Sequence, residues 1–208
     1  MRLILASASP RRAELLRGAG YSFETIVTDI DERARPDESP TDYVRRLASE
    51  KSAAALAVVG RAEAGHDRAN SVASGFSWTE RVIVLGADTS VVVEGEVLGK
   101  PRDDREAAVM LRRLSGRDHE VMTGISVRSL ACEAGAVDST TVSFAPLSQA
   151  EIEWYVACGE GRDKAGAYAI QGLASRFIPK IVGSYSNVVG LPMATVAALL
   201  AEIRQVHR

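Results

Sequence analysis

Apolar residues in this chain fall into short runs and helical stripes that alternate from the first residues on. Leu3–Ala6 is a short, wholly apolar run of buried-strand type. Pro10–Gly18 reads as a helix with Ser9 as its cap and Pro10 at the first helical position. Ser22–Val27 predicts a second strand. The stretch "SPTDYVRRLASEKSAAALAVV" predicts a long helix, with Ser39 as cap, Pro40 at its start and Asp42 closing a capping box. Gly60–Thr79 follows neither period and is rich in Gly, Ser and Ala, so it reads as a surface loop or insertion within one 208-residue domain.

The second half has the same texture. Arg81–Leu85 predicts a buried strand ending in "GADT", and "SVVVEGEVLGK" a hairpin turning at Glu94-Gly95. Asp103 and Glu106 form a second capping box, for a helix that ends at Gly116. Val121–Leu130 and Ala136–Ala145 predict paired strands around "CEAG". Ser148 and Glu151 cap a helix that stops near Gly159, and Pro192–Val206 is an amphipathic closing helix. Strands and helices that alternate, followed by a strand pair, predict an α/β fold with a mixed sheet.

Composition narrows the function classes. The net charge of −2 argues against a nucleic-acid-binding surface, and no stretch approaches the roughly 18 apolar residues of a membrane span. Cys132 and Cys158 stand far apart, outside any CxxC or Cys/His cluster, and His66, His119 and His207 are scattered. These features predict reduced thiols in a cytoplasmic protein without a zinc site. A homodimer is the commonest default for oligomeric state.

Charge placement is more informative than charge count. Arg11 and Arg12 stand in the first turn of a helix, where the backbone dipole disfavours cations by roughly 0.3–1 kcal/mol each. They share faces with Leu15 and Leu16, so they project from the buried side towards the end of the first strand. With the loop amides and the Ser7 and Ser9 hydroxyls they suit a phosphate; the alternative is a solvated cationic turn. Lys51 falls inside the apolar stripe of Tyr43, Leu47, Ala54 and Val58, with Glu50 at its edge. It either snorkels outward or points into a polar pocket. Asp88, beside Thr89 after a buried strand, suits a divalent cation or the deprotonation of water; the alternative is an Asx turn.

Lys100 in "GEVLGKP" sits on a constrained loop, but the glycine spacing is one short of a P-loop and Pro101 replaces its Ser or Thr. "GEGRDK" fails as a dinucleotide fingerprint, and no GxSxG elbow is present. In "KAGAYAIQGLASRFIPKIVGSYSNVVGLP", small residues around Gln171 let a planar ligand approach the backbone, where an amide both donates to and accepts from a base edge. The alternative is a surface glutamine in a glycine-rich turn.

Together, and in this order, "LASASPRRAELL", "SEKS", "GADTSVVVEGEVLGKP" and "KAGAYAIQG…GSYSNVVGLP" resemble the Maf family of nucleoside triphosphate pyrophosphatases, from Leu3 to about Leu200. The resemblance implies a mixed sheet with two lobes around a nucleotide cleft, related to the inosine triphosphatase fold. It implies Mg²⁺- or Mn²⁺-dependent hydrolysis of a nucleoside triphosphate to monophosphate and pyrophosphate. The family's catalytic carboxylate falls on Asp88, its phosphate-binding residues on Ser7, Arg11, Arg12, Lys51 and Lys100, and its base-choice positions on Arg12, Thr89 and Gln171. Glu32, in the acidic "DIDE" stretch, and Glu50 are candidate second carboxylates for the metal. "GADT" and "IQG" are similar to the branch acting on dTTP and UTP rather than on 7-methylguanosine triphosphate. The family's tie to septum formation supplies the alternative, a non-enzymatic regulator of cell division that binds a nucleotide or a partner.

Overall fold

The computed structural model describes residues 2–66 and 82–206. Their centre is β3 (Val82–Val93), whose run VIVLGADTSVVV is buried along almost its whole length. β1 (Arg2–Ala6) lies parallel to β3 on one side, and β2 (Glu24–Thr25) lies parallel to β1 beyond it. On the other side β5 (Asp118–Arg128) is antiparallel to β3, followed by β6 (Glu133–Ser143) and β7 (Lys180–Val182). A short β4 (Glu96–Leu98) folds back on β3, giving a seven-stranded mixed sheet among the described residues. The alternation of elements in the sequence therefore does produce a mixed α/β fold.

Helices cover both faces. α1 (Pro10–Gly18) and α2 (Pro40–His66) lie between the parallel strands, and α2 packs across β3 and β5. α3 (Asp104–Leu114) and α4 (Gln149–Cys158) pack together at the far end of β3. A short α5 (Tyr185–Val189) precedes α6 (Met193–Val206), which rests on β5 and β6. Among the described residues no helix is long and apolar enough to cross a membrane.

The core is divided along β3, and this division positions the site. Ile83, Leu85 and Ala87 join Leu3, Leu5, Leu16, Leu191 and Leu200 in one core. Val82 and Val84 join Ile4, Ala6, Ala55 and Val59 on the opposite face. Val91 and Val93 enter another core with Leu111, Leu114, Phe144, Tyr155, Tyr168 and Phe177. Asp88, Thr89 and Ser90 are the polar interval between these cores.

Register leaves that interval open on one edge. β1 pairs with β3 only as far as Ala6 opposite Gly86, and β4 begins at Leu98 opposite Val91. β5 occupies the other edge from Val84 to Val92. Among the described residues no strand pairs with the β1-side edge between Ala87 and Ser90.

Several boundaries differ from the sequence reading. β2 keeps only Glu24 and Thr25 of the Ser22–Val27 run, the two residues that pair with Ile4 and Leu5 of β1. α2 runs on through Gly60 to His66, since the Ala- and Glu-containing segment that follows Gly60 continues the helix. Residues 67–79 of the expected loop, and Arg81, lie outside the described residues. β3 does not end at Asp88: the polar residues are an interval within the strand. The β5–β6 turn is closed by Ser129, whose backbone N–H donates to Cys132 O at 2.8 Å, so β5 ends at Arg128 and β6 begins already at Glu133; at its other end β5 starts early, at Asp118, where it pairs with Ser143.

All four caps hold, but of the expected capping boxes only that of Ser148 and Glu151 closes, the Asp42 carboxylate accepting the Ser39 hydroxyl instead of its N–H. Ser9, Ser39 and Ser148 accept from the backbone N–H of Arg12, Asp42 and Glu151. Asp103 likewise accepts from Glu106 N–H, but the Glu106 carboxylate takes Arg102 N–H instead of closing the box on Asp103. Glu94 and Gly95 both have positive φ, as the tight hairpin turn requires.

α2 lies unusually close to the sheet. A Cβ at Gly86 would collide with the Ala48 carbonyl and stand 2.8 Å from Ser52 N, and one at Gly124 would collide with the Val44 carbonyl. Gly124→Ala is therefore expected to cost about 1–3 kcal/mol or more, read as a fall in Tm of at least several degrees. Gly60→Ala, on the same helix with open space around it, should leave Tm unchanged or raise it. An unchanged Tm in Gly124→Ala would contradict the close packing of α2.

Candidate active site

Ser9 and Pro10 start α1 at the carboxyl end of β1, and this places Arg12 across the open edge of β3. Arg12 is buried, with only 9% of its surface exposed. Its Nε donates to Gly190 O at 2.8 Å, Nη1 to Ala87 O at 2.9 Å and Ser7 Oγ at 3.2 Å, and Nη2 to Thr89 Oγ1 at 2.9 Å. The guanidinium thus supplies a donor to a β3 carbonyl at the interval where no strand does. Burial lowers its pKa, opposed by the charge of Asp88, while Arg11 adds to the lowering. A guanidinium stays protonated through such shifts. The solvated-turn alternative does not describe Arg12.

Thr89 is shared among several partners. Besides Arg12, its hydroxyl lies 2.9 Å from Thr123 Oγ1 and donates to Gly190 O at 3.3 Å. Ser7 is buried and its Oγ also accepts from Ser9 N–H at 3.2 Å, so the loop from β1 to α1 is tightly wound. Arg11 is half-buried, and its Nε is buried with no hydrogen-bond partner among the described residues. Desolvation lowers its pKa, against the charges of Asp163 and Glu14. A buried donor without a partner beside a wound N-terminal loop is a place for an anion.

The Lys51 ammonium completes a second cluster. The close approach of α2 at Gly86 sets Lys51 against the polar interval of β3. Its Nζ lies 2.7 Å from Asp88 Oδ1 and 2.7 Å from Glu32 Oε1, with only 11% of the side chain exposed. Of its two alternatives, Lys51 takes the polar pocket rather than snorkelling. Burial would raise the Glu32 carboxyl, but the Lys51 hydrogen bond and charge, with Lys100 and Arg12 further off, hold it below its ordinary value.

Glu32 sits on the irregular segment between β2 and α2, and α2 itself straps that segment down. Tyr43 OH donates to the Glu32 carbonyl at 2.8 Å, and Arg46 Nη2 to the Arg33 carbonyl at 3.1 Å. Arg46 also pairs with Glu38 at 2.6 Å, holding that carboxyl down at about 2. Burial, then the Asp88 and Glu32 charges, push the Tyr43 phenol up to about 12, so it stays a donor at neutral pH.

Not every expected residue joins these clusters. Glu50 is engaged by Arg35 at 2.9 Å and Arg46 at 3.3 Å, so its carboxylate serves the strapped segment rather than Asp88. Lys100 is exposed on the β4–α3 connection, within electrostatic reach of Glu32. Gln171 is exposed in the turn that precedes the 3₁₀ segment Leu173–Phe177. Its stretch of chain is tied to the Lys100 loop by Gly166 N–H donating to Gly99 O at 3.0 Å.

Three participants escape a reading of the sequence. Tyr43 looks like a member of the apolar stripe, although its spacing of eight from Lys51 puts both on one face and a phenol carries a polar tip. Gly190 acts through its backbone carbonyl, which leaves no side-chain signal. Thr123 lies mid-strand on β5, where threonine is an ordinary strand residue.

Among the described residues no group of three or more His, Cys, Asp and Glu gathers to cage a metal. Asp88 and Glu32 nevertheless converge on one cation, the Lys51 ammonium. Two carboxylates completed by substrate phosphates and water are a donor set that Mg²⁺ accepts, so these residues fit a divalent ion shared with a polyphosphate. Chemically, the arrangement offers a carboxylate to handle water, an ammonium beside it, and cationic donors around a strand end.

Comparison with known proteins identifies the family. The family described as Maf-like protein matches residues 2–203. A dTTP/UTP pyrophosphatase of Anaeromyxobacter dehalogenans is 51% identical over 203 residues, covering 96% of this chain and 92% of that protein. The enzyme of the same name from Hahella chejuensis is 46% identical over 203 residues, covering 97% and 92%. That from Vibrio cholerae is 45% identical over 199 residues, covering 96% of each. With a family model matched over nearly the whole chain and relatives 45–51% identical, the chain belongs to the Maf family.

Proposed function

We propose that this protein hydrolyses dTTP and UTP to the nucleoside monophosphate and pyrophosphate at the site built on Asp88. The observation that carries this reading is the Asp88 carboxylate held 2.7 Å from the Lys51 ammonium at an open strand edge. A binding-only regulator would use such a carboxylate only to clamp a metal, whereas hydrolysis also uses it to orient and deprotonate water.

Arg11, Lys100 and the Ser7 loop bind the triphosphate, with the unpartnered Arg11 Nε taking a phosphate oxygen. Arg12 fixes the end of α1 against β3 and Gly190, keeping these donors in register. Asp88 orients a water and takes its proton as the oxygen attacks the α-phosphorus in line. The new O–P bond forms as the bond from the α-phosphorus to the bridging oxygen breaks, and pyrophosphate leaves. Lys51 stabilises charge gathering on the phosphoryl oxygens. Asp88 and Glu32 would hold a divalent cation, Mg²⁺ or Mn²⁺, which would supply further charge neutralisation.

Gln171 and Thr89 are the base-choice residues in this reading. An amide accepts from N3–H and donates to O4 of uracil or thymine, which suits the substrates named for the relatives. The protein works in the cytoplasm, in keeping with its free Cys132 and Cys158.

Pure protein with Mg²⁺ and a panel of nucleoside triphosphates should release monophosphate and pyrophosphate in equal amounts, fastest with dTTP and UTP. Asp88→Asn should lower kcat by about 10²–10⁴-fold with the fold retained by circular dichroism. Orthophosphate as the main product, or an active Asp88→Asn, would remove the assignment. Arg12→Ala should lower kcat/KM by about two orders of magnitude and also lower Tm, because it strands the Ala87 and Gly190 carbonyls. Wild-type kinetics in Arg12→Ala would show that the clamp is dispensable.

A further inference from the structure

One polar pair, a buried tyrosine and a half-buried glutamate, lies outside both clusters and grips the chain on either side of Gln171. Tyr155, on α4, is 1% exposed. Its hydroxyl donates to Glu160 Oε2 at 2.7 Å and accepts from Ala169 N–H at 3.2 Å. The Glu160 carboxylate then accepts Leu173 N–H on Oε1 at 2.9 Å and Ala174 N–H on Oε2 at 3.2 Å. Three backbone donors are thereby fixed, one before and two after the turn that carries Gln171.

The fit under that turn is close. Gly172 has φ +113°, and a Cβ there would collide with Glu160 Oε1, so the carboxylate lies directly against bare backbone. Glu160 follows Gly159, which caps α4, so its own position is set by the helix end. Bonds from backbone N–H to a carboxylate are charge-assisted and stronger than neutral ones. The turn is thus anchored to α4 rather than to the nucleotide.

We infer that Glu160, supported by Tyr155, is a positioning residue for base selection: it holds the Gln171 turn at the height from which the amide reads the base. This rests on the reading of Gln171 as a base contact. A glutamine whose backbone drifts can no longer place its amide oxygen on N3–H and its NH2 on O4 together, and so loses its preference for a uracil edge. Discrimination therefore needs the turn to stay where it is, and Glu160 contributes that without touching substrate. Losing Glu160 frees two backbone donors and lets the turn drift, which affects base choice more than chemistry at phosphorus.

The test is the ratio of kcat/KM for dTTP to that for CTP, which does not depend on the fraction of protein folded. In Glu160→Ala, KM for dTTP should rise about tenfold with a much smaller change in kcat, and the ratio should fall about as far as in Gln171→Ala. The double variant should fall no further. Glu160→Gln should keep only part of the ratio, since its single amide oxygen takes the place of one carboxylate oxygen and its NH2 faces the N–H group that the other oxygen accepted.

An unchanged ratio in Glu160→Ala beside a collapsed one in Gln171→Ala overturns the inference and leaves the base reading standing. A double variant worse than Gln171→Ala alone overturns it too, because Glu160 then acts by another route. An unchanged ratio in Gln171→Ala removes the base reading and this inference with it. Should Glu160→Ala not fold, Tyr155→Phe keeps the ring in its core, cuts two of the bonds and is expected to lose part of the ratio; a wild-type ratio there is equally decisive against it.

Discussion

The open edge of β3 between Ala87 and Ser90 is the constraint on which the rest depends. A central strand with unpaired backbone groups in the interior of a protein costs free energy unless something else supplies partners. Here β1 stops and β4 has not yet begun, and the Arg12 guanidinium takes the vacant carbonyl. That one substitution of a side chain for a strand brings together the end of β1, the start of α1, the middle of β3 and Gly190. Asp88 and Thr89 are presented on rigid, hydrogen-bonded backbone as a result, because β5 still pairs with them on the other edge. Rigid support of this kind favours a reaction in which positioning supplies much of the rate.

The two clusters divide the labour electrostatically. Arg12 is saturated by carbonyls and hydroxyls, so its charge is felt at a distance while its donors are committed. Arg11 has a donor to spare and Lys100 is exposed. Lys51 is neutralised by two carboxylates until something else competes for them. A polyanion therefore meets a site whose framework cation is fixed and whose outer cations are available.

Much of this was legible in the sequence because it follows from local rules. Serine caps and following prolines placed α1 and α2, and the two positive-φ positions at Glu94-Gly95 were readable from the turn itself. Arg12, Lys51 and Asp88 stood out because each breaks a pattern: a cation at a helix start, a lysine on an apolar stripe, a carboxylate in a buried strand. What was missed depends on distant partners. Polar residues between two cores look like the end of a strand, so β3 was read as too short. Glu50 looked like a metal carboxylate because nothing local announces that Arg35 and Arg46 will fold onto it. Tyr43 and Gly190 were hidden for the opposite reason, one dressed as core and the other acting through backbone alone.

The glycine at the head of the GADT motif acts as a spacer of zero thickness. Gly86 lets α2 settle until the backbone beside Lys51 nearly touches the strand that carries Asp88. Any side chain there would act as a shim, lifting the whole helix and withdrawing the ammonium from the carboxylate by its own width. The distance between a base and its neighbouring cation is thus calibrated by an atom that is missing, two residues before Asp88 on β3 and against Ala48 and Ser52, which flank Lys51 on α2.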